Sequence, residues 1–224
     1  MKKFAIVTGI CIAALITAWL TCRLTGMLNY FSIATASNEP TLRKNTIVFG
    51  SNLKKPRRFD FIFYKHLGNE PRSSIYIFRL CGLPGDKVQL INGVLFVNDQ
   101  NTESLFGTYH NYIINNNDLE RIRDDLKLED EQVNFIANDT IEVPLEKSAI
   151  KDYSITATFC NPGDIDNEIF KTYHKKWTPD NFGPLVVPDN SYFVLGDNRS
   201  EAYDSRYTGC VSQGEYIGTK LGSR

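Results

Sequence analysis

The chain has 224 residues, enough for one good-sized domain plus an anchor but not for two full domains. Its apolar fraction of 42% and charged fraction of 23% are those of a globular protein. A formal net charge of −1, with no Arg/Lys tract interleaved with aromatics, excludes a nucleic-acid surface. Of five cysteines, Cys11 and Cys22 lie in an apolar N-terminal run, and Cys81, Cys160 and Cys210 form no CxxC pair. That usage argues against a zinc site or a disulfide framework, and it leaves room for one disulfide whose pair the sequence does not choose. No metal and no cofactor is called for.

Phe4 to Cys22 carries no charge. As a helix its 19 residues would span roughly 28 Å, close to the hydrocarbon thickness of a bilayer. Lys2 and Lys3 precede the run and only Arg23 follows closely, so the positive-inside rule places residues 1–3 in the cytoplasm. The C-terminal bulk is then outside, on a single-pass inner or plasma membrane protein. A small-x-small triplet, Ala34-Thr35-Ala36, invites a cleaved-signal reading. It lies too far from the apolar run, and that run is longer than a signal core, so a retained anchor is expected.

From Asn45 the pattern is β-like. Thr46 to Phe49, Phe61 to Tyr64 and Ser74 to Phe78 are short aromatic or β-branched runs. Val88–Ile91 and Val94–Val97 flank Asn92-Gly93, the signature of a hairpin with a type I′ turn. Gly82 to Asp86 reads as a tight loop. About 99–180 is polar and reads as an inserted α/β subdomain, with helices expected over Asp118–Leu128 and Lys147–Asp152. Strand signals resume at Pro184–Val187 and Tyr192–Leu195. The aromatic run Phe59 to Tyr64 suits either core or lipid contact. Lys54 to Arg58 suits either a solvated turn or a headgroup contact.

Three separated segments then align with one family. They are Ser37-Asn38-Glu39-Pro40-Thr41-Leu42 after the anchor, Phe78 to Asp86 with its Gly82-Leu83-Pro84-Gly85-Asp86 core, and Gly196 to Arg206. In this order they resemble the type I signal peptidases, membrane serine endopeptidases that remove signal peptides from exported preproteins. Asp60 and the strand after it resemble a further box, with Phe59 at the family's usual Gly. The resemblance implies a mainly β, signal-peptidase-like antiparallel fold over 30–224. It implies signal peptides or extended preprotein segments as partners, and contact with membrane lipid.

Carried over residue by residue, Ser37 stands at the nucleophile and Thr35 at an oxyanion-hole position. Phe31, Ile33 and Ile77 stand at pockets for small side chains. Arg79, Asp204 and Arg206 match structural polar positions. Two positions depart from the pattern. Phe78 occupies the place of the lysine base, and Ala202 that of a serine that orients it. A serine hydroxyl needs a base to become a nucleophile, and a phenyl ring accepts no proton. Ser37 is therefore either a nucleophile served by another base, with His66, His110, His174, Lys65 and Lys87 as candidates, or a plain hydroxyl before Pro40. The matching functions are a signal-peptide endopeptidase and a non-catalytic homologue that binds extended peptides as an assembly or scaffolding factor. Cys81 is expected to be buried and inert.

Overall fold

The computed structural model describes residues 2–66, 74–160 and 163–222. An N-terminal helix, α1 (Lys2–Leu24), is long and apolar enough to cross a bilayer, and none of its apolar window is buried in the rest of the chain. In chain order there follow β1 (Asn29–Ser32), β2 (Ile47–Ser51), β3 (Phe61–His66), β4 (Ser74–Gly82), β5 (Lys87–Ile91), β6 (Val94–Val97) and β7 (Gln100–Asn101). A middle stretch holds β8 (Tyr109–Ile114), α2 (Asn116–Leu126), β9 (Asn134–Ala137), β10 (Thr140–Glu146), α3 (Lys147–Asp152) and β11 (Thr158–Phe159). The chain closes with α4 (Asn167–Tyr173), β12 (Phe182–Val186), β13 (Ser191–Leu195), α5 (Ser205–Thr208), β14 (Val211–Ser212) and β15 (Tyr216–Lys220).

The main sheet has the order β1-β2-β15-β3-β4-β13-β14, and each neighbouring pair is antiparallel. Its centre is buried on both faces, which is why Phe61, Ile62, Phe63 and Tyr64 form an unbroken apolar run, each at most 1% exposed. Alternation along β3 and β4 sorts their side chains. Ile62, Tyr64, Phe78 and Leu80 join Val194 and Ala202 in one core cluster, while Phe61 and Phe63 pack with Ile33, Leu42 and Val48 in another. The aromatic run of β3 is thus core and not a lipid-facing surface.

A second sheet, β12-β5-β6-β7, contains the expected hairpin. Asn92 and Gly93 have φ of 49° and 78°, as a type I′ turn requires. Phe59, at the family's usual Gly, also lies in the left-handed region with φ 71°. Its ring packs on Phe106, 5.3 Å between centroids, and its carbonyl accepts from the Arg79 guanidinium.

The stretch 99–180 has the mixed helix-and-strand content expected of an inserted α/β subdomain. α3 lies where expected, α2 (Asn116–Leu126) starts and ends slightly before the expected Asp118–Leu128, and the strands form a third sheet, β11-β8-β10-β9. β8 alternates strictly, with His110, Tyr112 and Ile114 buried and the residues between them half-buried. In β10, Ile141, Val143 and Leu145 point inward, while the outward positions carry polar residues such as Glu142. The sequence also gave no sign of α4, whose Asp166 side chain caps the Glu168 and Ile169 amides.

Candidate functional site

Ser37 sits in the turn between β1 and β2. Ile33 anchors its near end through backbone bonds with Thr46 (2.9 Å) and Asn45 (2.8 Å). Past the serine the turn closes on itself, Glu39 N–H to Ala36 (3.0 Å) and Leu42 N–H to Asn38 (2.8 Å). Two tertiary bonds pin the turn, one to strand β4 and one to the loop after residue 195. The Asn38 amide donates to the Ile77 carbonyl of β4 at 2.7 Å, and the Asn198 N–H donates to the Ser37 carbonyl at 3.1 Å. All three segments quoted from the sequence therefore meet at one point.

The Ser37 hydroxyl accepts from the Thr35 hydroxyl at 3.1 Å and donates to the Glu201 carbonyl at 3.1 Å. Phe78 and Ala202 stand together beside it, 3% and 5% exposed, in the cluster with Ile62, Tyr64, Leu80 and Val194. Gly196 is the hinge of this packing. A Cβ there would come within 2.3 Å of the Ala202 Cβ, 2.4 Å of the Ser37 carbonyl oxygen and 3.3 Å of a Phe78 ring carbon. Only a residue with no side chain lets these parts approach so closely.

Around the proton of Ser37 the surroundings are apolar or already satisfied. Tyr64, packed against Phe78 with centroids 6.5 Å apart, has its phenol pushed well up by burial, with Asp204 adding to the effect. None of the proposed substitute bases is recorded against Ser37 among the described residues. His66 meets Tyr76 edge-on, His174 packs on Phe170, and Lys87 pairs with Asp99. Lys65 is exposed on β3 opposite Ile75. His110 lies in a separate buried cluster, 3.4 Å from Glu103 and 3.9 Å from Asp180, and burial holds its imidazole below the usual range while the Glu103 hydrogen bond opposes that. Cys81 is fully buried and its thiol is pushed up to about 12 by burial, so it is inert at neutral pH. Cys160 and Cys210 are free thiols as well.

Phe31, Ile33 and Ile77 come together in one apolar cluster beside the turn, with Phe31 stacked on Phe63 at 4.0 Å. Ile33 itself is 2% exposed and forms part of the floor, whereas Phe31 and Ile77 are half-buried. Arg79, one residue after Phe78, points to the opposite face. It binds Asp197 with two bonds of 2.7 and 2.5 Å, lies between the rings of Phe61 and Phe106, and donates to the Phe59 carbonyl. Arg206 makes a bidentate pair with Asp204, 2.9 Å for each bond, and reaches the Arg199 carbonyl at 2.6 Å. Asp204 in turn accepts the Gly196 N–H at 3.0 Å, which ties this ion pair to the packing beside Ser37. Lys54 bonds Asp60 and the Lys220 carbonyl, and Arg58 clamps Asp86, so two of the four basic side chains in that run are held within the fold.

Sequence reasoning missed Asn38, Gly196, Asp197 and Asn198 as positioning residues. All four lie inside the quoted segments, but their tasks are long-range and carry no local signal.

Fold and site together define a class: a β protein behind a membrane-length helix, with paired hydroxyls where three distant segments converge. The family description "Signal peptidase, peptidase S26" matches residues 3–221, and the chain belongs to that family. Signal peptidase I of Buchnera aphidicola subsp. Baizongia pistaciae is 31% identical over 192 residues, covering 78% of this chain and 56% of the relative. Signal peptidase I of Rickettsia typhi is 30% identical over 167 residues, covering 74% and 50%. A solved signal peptidase I from Enterococcus faecalis V583 is similar at 22% identity and a TM-score of 0.37, covering 75% of this chain and 98% of that one. The chain thus spans about half the length of the curated relatives it matches.

Proposed function

We propose that this chain is a signal-peptidase-family membrane protein that takes extended segments of exported preproteins beside Ser37 without cleaving them by a Ser–Lys mechanism. It acts as a binding or assembly factor on the extracytoplasmic side of an inner or plasma membrane, with residues 1–3 inside and α1 as its single span. Met1 of that tail lies outside the described residues. Phe31 and Ile77 would receive small side chains of the bound segment, with Ile33 beneath them, and Thr35 would stand at the oxyanion position.

The observation that supports this reading is the fate of the Ser37 proton. The hydroxyl donates to a backbone carbonyl, which cannot take the proton at neutral pH, and the place of a base is filled by the buried ring of Phe78. Ala202 fits the same reading, since a hydroxyl there would have no ammonium to orient.

A cleavage assay on a preprotein with a small-x-small site tests it, using purified wild type, Ser37→Ala and Phe78→Lys. No cleavage is expected from the wild type. Turnover by the wild type that vanishes in Ser37→Ala would overturn the reading and favour an endopeptidase with another base. Activity gained in Phe78→Lys would fit a site that lacks only its proton acceptor, because an amine among Tyr64, Leu80 and Val194 would be held partly neutral by burial.

A further inference from the structure

The start of β8 is joined to the loop after β13. The Tyr109 N–H donates to the Asp197 carbonyl and the Arg199 N–H to the Tyr109 carbonyl, each at 2.9 Å, so Tyr109 bridges to Asn198. Asn198 is also the residue whose N–H holds the Ser37 carbonyl. A change at the start of β8 thus has a short path to the Ser37 turn.

The next residue, His110, is buried beside that joint at 6% exposure, among charges drawn from several parts of the chain. Its Nε2 lies 3.4 Å from Glu103, whereas its Nδ1 is 3.9 Å from Asp180, too far for a hydrogen bond. The Arg199 guanidinium donates to the Gly93 carbonyl at 3.1 Å and reaches Glu103 at 3.5 Å. Arg206, behind Asp180, donates to the Pro179 carbonyl. From α3, Lys147 and Lys151 line a cavity of about 470 Å³ together with His110, Glu103 and Tyr112. Tyr112 and Cys160 add no charge, since burial pushes both protons up, to about 11 for the thiol. The ring has little room to move: Phe159 meets it edge-on at 5.4 Å, and a Cβ on Gly93 would come within 2.8 Å of its Cε1.

These surroundings suit a neutral imidazole. Burial opposes the Glu103 charge, but Arg199 and hydrogen bonds from His110 and Thr108 hold that carboxyl well below its usual range, so it accepts from Nε2. Nδ1 has no hydrogen-bond partner among the described residues. A second proton placed there would be a buried donor without an acceptor, on a ring too closely packed to seek one.

We propose that His110 makes this joint a pH-sensitive latch: a neutral ring keeps β8 locked to the loop after β13, and protonation loosens β8 and, through Asn198, the Ser37 turn. Burial lowers the imidazole from its usual value of 6.5, with Arg199 adding to the effect and Glu103 and Asp180 opposing it. Such a group stabilises the folded form above its unfolded value, and the contribution is lost as pH falls through the folded one. Loosening is therefore expected on the acid side of about pH 6.5. Asp180, raised by burial, has the opposite sign and favours the folded form on that side, so the variant belongs at His110.

Amide hydrogen exchange of the full chain in nonionic detergent, corrected for intrinsic rates, tests the latch between about pH 7.5 and about pH 5.5. Protection at β8 and Asn198 is expected to fall by at least about threefold on acidification, while the β3–β4 ladder keeps its own. His110→Gln, which cannot titrate, should abolish the change. An NMR titration of the wild-type ring, one of three histidines in the chain, gives a second reading should that variant unfold. It is expected to titrate below about 6.5. Protection that ignores pH, or that falls equally in His110→Gln, would overturn the latch. So would an equal loss along β3–β4, which would mark a global effect, or a ring that titrates at or above about 6.5.

Discussion

Phe78 and Arg79 are neighbours on one strand, yet they belong to regions with opposite chemistry. On the Phe78 face, Ile62, Tyr64, Leu80, Val194 and Ala202 pack around the ring in one apolar cluster. On the Arg79 face, a buried guanidinium is paired with Asp197 and held between two aromatic rings, and a short distance along the chain Arg206 and Asp204 form a second buried pair. Buried ion pairs brace one face of the strand, while the other is packed with apolar side chains. Strand alternation makes such a separation possible, because adjacent residues face different environments and can be lost independently.

The contrast can be broken most forcefully from the polar side. Arg206→Met should destabilise the domain by about 3–5 kcal/mol, because it leaves the Asp204 carboxylate buried without its partner. Chemical denaturation of the purified chain reads this directly, and a loss below 1 kcal/mol would mean that the pair contributes little to the fold. On the apolar side, Gly196→Ala should cost about 1–3 kcal/mol by overpacking. Its new methyl would press on Ala202 and on the Ser37 carbonyl together, so the Ser37 turn should gain hydrogen-exchange mobility in the same variant. An unchanged melting curve would show that the close approach there is not tight. The smallest effect is expected at the serine. Ser37→Ala removes bonds to Thr35 and to the Glu201 carbonyl at a half-buried site, worth about 1 kcal/mol or less. A loss comparable to that of Arg206→Met would show that the hydroxyl is part of the scaffold after all.

A good part of this was legible in the chain itself. The apolar helix α1 follows from an uncharged run of bilayer length, and the β5–β6 hairpin follows from Asn92-Gly93 between apolar runs. The family follows from three ordered segments. The individual strands of the third sheet were not legible from composition, because short strands set among polar turns and helices leave only a mixed average. Nor was the outcome for Phe59 to Tyr64, since an unbroken apolar run serves core and lipid equally well until its neighbours are known.

By itself the sequence determined which reacting groups exist: a hydroxyl at 37, a phenyl ring at 78 and a methyl at 202. A phenyl ring and a methyl group accept no proton in any surroundings. Only the tertiary structure decided where those groups stand and what they meet. It brought turn 36–42, strand β4 and the loop after β13 together at Gly196, and gave the Ser37 hydroxyl a backbone carbonyl as its acceptor. Those contacts join residues up to 164 apart in the chain, and separations of that kind leave no periodicity or spacing for a reader of the sequence to find.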